Sequence, residues 1–175
     1  MNFYEKAVRH LIRYMYYVAG GAIVLMMLLT CADVFLRLIV TLYAKYGWPI
    51  LEGIQPTPGI YELVCFLGAS AAAFAMAHTT LESGHVAVSL IVRLLSEKLQ
   101  AGFKIVTSSL GFILFALISW HSVGYARELV ESGEVSMTLQ LPYYPFVYGV
   151  AFASFAVCLV LAMNVTNEWM KVFHK

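Results

Sequence analysis

The sequence predicts an all-α integral membrane protein, a single domain over residues 1–175 built from four transmembrane helices. Three observations carry that reading. Apolar stretches run over residues 14–40, 59–81, 104–129 and 145–166, and each reaches the roughly 20 residues that a bilayer core of about 30 Å demands of a helix. Hydrophobic residues make up 61% of the chain and charged residues 12%, with a mean hydropathy of +0.79. The runs are continuous rather than alternating, and in lipid every backbone amide must be paired inside the structure, so they select helices over a barrel.

The first stretch begins at Tyr14 and ends near Val40, with Asp33 and Arg37 close to its far end. It outlasts the short apolar region of a signal peptide. Thr30 ahead of Cys31 is also a poor fit to a lipoprotein processing site, so the stretch is expected to be a retained anchor. The second opens on Pro58-Gly59 and carries Gly68, Ala69, Ala72, Ala73 and Ala77, two rows of small residues that let another helix approach closely. Packing inside this bundle and docking to a different membrane protein are both open at this point. After Gly84, the residues His85, Ser89, Arg93, Glu97 and Gln100 recur at helical spacing opposite a broad apolar face. That pattern predicts an amphipathic helix over residues 85–100, lying in the membrane interface as a brace or as an arm that grips a partner. The third and fourth stretches follow with little chain between them.

Lysine and arginine near the spans fix the expected orientation. Lys6, Arg9 and Arg13 precede the first helix, Arg93, Lys98 and Lys104 lie between the second and third, and Lys171 and Lys175 end the chain. The opposite side has Lys45, with Arg37 and Arg127 at helix ends. Both termini are therefore expected on the cytoplasmic side, with tyrosines and tryptophans such as Tyr14, Tyr17, Tyr43 and Tyr144 at the two interfaces.

Ionisable groups inside a span are costly and mark either function or a compensating partner. Asp33 and Arg37 stand i, i+4 with the acid first, the favourable order on one helix face. Glu62 opens the second helix at the same outer level, so the expectation is a clamp in which Arg37 bridges Asp33 and Glu62. No column of acids descends below it, as a proton relay would need.

Catalysis and cofactors find no support. Nucleophile elbows, HExxH and phosphate loops are missing from the sequence. Cys31, Cys65 and Cys158 sit singly in different helices without metal-ligand spacing, which leaves them as packing residues. His78 and His121 fall towards opposite ends of their helices, too far apart to share a haem iron. Neither cofactor, metal nor nucleic-acid partner is expected. A complete secondary transporter is not expected either, because such proteins repeat their halves around interrupted helices. The remaining role is a non-catalytic membrane subunit serving a larger partner and surrounded by membrane lipids. A membrane anchor of a redox enzyme, with single-histidine haem ligation, is the alternative from another class, and the small subunit of a different tripartite carboxylate system is a third.

Several local patterns converge on one family. Asp33-Val34-Phe35-Leu36-Arg37, Pro58-Gly59-Ile60-Tyr61-Glu62-Leu63, Gly84-His85-Val86-Ala87-Val88 and Glu134-Val135-Ser136-Met137-Thr138-Leu139-Gln140-Leu141-Pro142 resemble, in order and placement, the small membrane subunit (DctQ family) of tripartite ATP-independent periplasmic (TRAP) transporters. Ser89 departs from the acidic residue expected there. The resemblance implies a bacterial inner-membrane protein that scaffolds a large polytopic permease subunit. It also implies help in docking a periplasmic substrate-binding protein, for ion-gradient-driven, sodium-coupled uptake of an organic acid. On that reading Asp33, Arg37 and Glu62 fix the outer end, Gly68, Ala72 and the 85–100 arm meet the permease, and Lys45, Trp48, Glu52 and Gln55 face the binding protein.

Overall fold

The structure is a computed structural model that describes residues 3–46, 58–82 and 97–173. It contains four helices: α1 (Phe3–Tyr46), α2 (Ile60–Leu81), α3 (Glu97–Ser132) and α4 (Tyr144–Phe173). All four are long and apolar enough to cross a membrane, and no strand occurs among the described residues. The chain is a membrane protein.

Helix ends follow local chemistry. α1 runs for 44 residues, about 66 Å at about 1.5 Å per residue, and so extends well past the 14–40 span at both ends. No proline interrupts it before Pro49. α2 starts after Gly59, whose φ of 82° is a left-handed conformation that a side chain disfavours. α3 stops at Gly133, again left-handed at φ 64°, the usual glycine position just past a helix. Pro145 lies in the first turn of α4, where its missing N–H costs nothing. Residues 97–100, the last turn of the expected interfacial arm, are helical and lie within α3. His85, Ser89 and Arg93 of that arm lie outside the described residues.

The helices pack in the order α1, α2, α4, α3, with a slight contact between α1 and α4. α4 is the hub. Ala151, Ala153, Ser154, Ala156, Val157, Val160 and Met163 are all buried, and the small ones among them let neighbours approach on more than one side. α3 comes close through Gly111, where an added Cβ would stand 3.2 Å from a Leu161 methyl, and Ser119 Oγ donates to the Ala151 carbonyl at 3.1 Å. α1 contributes Val8, Ile12 and Met15 to the same core, which also holds Ala73 and Ala77 of α2. Beyond that core α1 touches α2 through one stripe, Met26, Leu29, Asp33 and Leu36, and its other faces are exposed.

Candidate functional site

Two clusters and one open helix face gather the polar and small residues. The first cluster is the corner where α2 begins. Glu62 sits in the first turn of α2 and accepts two backbone hydrogen bonds from the α3–α4 loop, Thr138 N–H to Oε1 at 2.9 Å and Leu139 N–H to Oε2 at 3.0 Å. The loop is braced within itself as well. Ser136 N–H donates to the Leu141 carbonyl, Leu141 N–H donates back to Ser136 Oγ, and Val135 pairs with Pro142. Ser136 is buried while Met137 beside it is 98% exposed. Leu139 drops onto Gly59, where an added Cβ would collide with the Leu139 side chain. Behind the corner Phe66 of α2 stacks on Phe146 of α4, ring centroids 4.2 Å apart, and meets Tyr143 edge-on.

The expected clamp is therefore not one unit. Arg37 Nε donates to Asp33 Oδ2 at 2.7 Å, but Glu62 has its two oxygens on the loop and forms no ion pair with Arg37. Backbone amides of a loop 76 and 77 residues away in sequence supply the partners that a nearby cation was expected to give. Arg37 keeps 64% of its side chain exposed, whereas Asp33 is turned towards α2. Two sequence motifs far apart, residues 58–63 and 134–142, are thus one corner in space, a link that neither motif announces by itself.

The open face belongs to α2. Its small residues divide by side: Ala73 and Ala77 are buried in the core, and Gly68 faces Met26 of α1. Ala69 and Ala72 are exposed. They continue a strip of exposed residues, Tyr61, Cys65, Ala69, Ala72, Met76 and Thr79, whose spacing of three and four keeps it on one helix face. Along this strip the close approach that small residues permit is used by no helix among the described residues.

The second cluster lies at the other end of α2. His78 stacks on Tyr16 of α1, centroids 4.3 Å apart, and its Nε2 stands 3.7 Å from Glu82 Oε1. Arg9 and Arg13 of α1 line the same cleft. Sequence reading considered His78 only as a haem ligand; its position against a tyrosine ring and between charges needed the fold. Among the described residues no three His, Cys, Asp or Glu side chains gather as a metal site would require. Lys45 is exposed at the end of α1, and Trp48, Glu52 and Gln55 lie outside the described residues.

Comparison with known proteins bears on the Glu62 corner and the α2 face. No curated protein and no solved structure matches the chain. The family model described as "Tripartite ATP-independent periplasmic transporters, DctQ component" matches residues 26–170, which includes α2, α3, the Glu62 corner, the second half of α1 and most of α4. The redox-anchor alternative gives way to that match. The chain belongs to the DctQ component family of tripartite ATP-independent periplasmic transporters, and is a small permease component of a transporter rather than an enzyme.

Proposed function

We propose that this chain scaffolds the large permease subunit of a TRAP transporter and helps dock a periplasmic substrate-binding protein during ion-gradient-driven uptake of an organic acid. Family membership implies, in general, association with a large permease and a binding protein. The proposed setting is a bacterial inner membrane with both termini cytoplasmic, which the distribution of lysine and arginine favours. The single observation that carries the scaffold role is the α2 strip. In lipid there is little hydrophobic drive between helices, so association relies on close packing over small residues. Cys65, Ala69 and Ala72 offer such a surface, and the exposed Arg37 of α1 adds a cation suited to a polar partner.

The test is affinity purification of the chain in mild detergent at native expression, with mass spectrometry of co-eluting proteins. One large polytopic protein is expected in stoichiometric amount, and its absence would reject the scaffold role. Ala72→Trp should lose most of that partner while the isolated chain keeps its helicity and Tm, because Ala72 points away from the core. Full recovery with Ala72→Trp would move the interface off α2. On the outer side, docking of the binding protein is assigned to the end of α1 at Lys45, to Trp48, Glu52 and Gln55, and to the braced loop that presents Met137.

A further inference from the structure

We infer that the cleft between the start of α1 and the end of α2 binds the phosphate of an anionic phospholipid, held by Arg9 and Arg13. The cleft encloses about 470 Å³ and is lined by Arg9, Arg13, His78, Leu81 and Glu82. Arg9 and Arg13 are one helical turn apart on one face, an arrangement of like charges that weakens a helix by itself. Neither forms an ion pair among the described residues. The one carboxylate in the cleft, Glu82, is drawn towards His78, and the His78 ring is held by its stack on Tyr16. Two guanidiniums without an anion, opposed by one carboxylate that already has a neighbour, leave the cleft in need of negative charge.

Depth selects the source of that charge. The apolar span begins directly after Arg13, with Tyr14 and Tyr17 exposed, the level at which aromatic side chains meet lipid headgroups. Val8, Ile12 and Met15 on the same helix are buried against Ala77 of α2 and Val160 of α4, so the two arginines are carried on a packed segment rather than a loose tail. Leu81 gives the cleft an apolar wall on which glycerol and the first acyl carbons can lie. Planar guanidiniums bind phosphate oxygens through paired N–H donors, and basic pockets between membrane helices are suited to anionic headgroups. The inference needs only that the chain is embedded in a bilayer, and it stands apart from the scaffold role.

Native mass spectrometry of the full-length chain, with equal phosphatidylglycerol and phosphatidylcholine in the micelle, tests it. Wild type should retain phosphatidylglycerol several-fold over phosphatidylcholine. R9Q/R13Q should lose that preference and R9K/R13K should keep part of it. K6Q, which removes a cation nearby but outside the cleft, should leave it intact. A wild type with no preference, a preference that survives R9Q/R13Q, or an equal loss in K6Q would each overturn the site. Complete displacement of the lipid by millimolar inorganic phosphate would assign the cleft to a soluble phosphate and overturn the lipid.

Discussion

The two ends of α2 handle charge in opposite ways. At Glu62 the carboxylate is matched within the chain, because two amides of the α3–α4 loop donate to its two oxygens. At the other end Arg9 and Arg13 share a cleft with His78 and Glu82 and have no ion-pair partner among the described residues. The first end is a finished joint whose role is to hold the chain's own loop. The second has spare cation, which calls for something outside the chain. A bundle of this size can thus spend its polar residues on architecture at one membrane face and on its surroundings at the other.

The largest expected effect comes from breaking the finished joint. Gly59→Ala puts a side chain into a left-handed conformation, which costs about 1–2 kcal/mol, and drives its Cβ into Leu139. Thermal or detergent unfolding should register the loss, and proteolysis should cut first in residues 133–142. An unaltered loop would mean that Leu139 is not seated on Gly59. Glu62→Gln should have a smaller effect, since the amide keeps one acceptor but presents a donor to the second N–H. Faster hydrogen exchange at the Thr138 and Leu139 amides is expected, with the α1–α2 contact unchanged. Exchange equal to wild type would show that the loop holds itself without Glu62.

Arg37→Ala sharpens the comparison most finely. Arg37 stands in the last third of α1, yet its bond is an i, i+4 pair with an exposed guanidinium, of a kind worth about 0.3–0.5 kcal/mol. The isolated chain should therefore scarcely change in Tm, while recovery of the large permease subunit should fall. Loss of stability as great as that of Gly59→Ala would return Arg37 to the joint. Unchanged recovery and uptake would remove it from the interface as well.

Much of the fold was legible in residue order. Continuous apolar runs specify helices because lipid leaves the backbone no other partner, and the Asp33–Arg37 pair follows from helical spacing alone. The helix start at Pro58-Gly59 was legible for a similarly local reason, a conformation that glycine accepts. The interfacial arm was legible as periodicity over residues 85–100, of which the described residues 97–100 are helical and continuous with the long α3.

Tertiary structure alone decided the remainder. Hydropathy ranks α1 and α4 almost alike, yet α4 is the buried hub and α1 an outer helix, because lipid is as apolar as a neighbouring helix and hydropathy does not distinguish the two. The same holds for the alanines of α2, where Ala77 is buried and Ala72 is not. Glu62 makes the point for polar groups. A local rule offered Arg37, but the bonds went to Thr138 and Leu139, which only the meeting of α2 with the α3–α4 loop brings within reach. Sequence determined what each segment becomes, since backbone hydrogen bonding in a helix is local. Packing decided which residues meet, since contacts between helices depend on shapes assembled from distant parts of the chain.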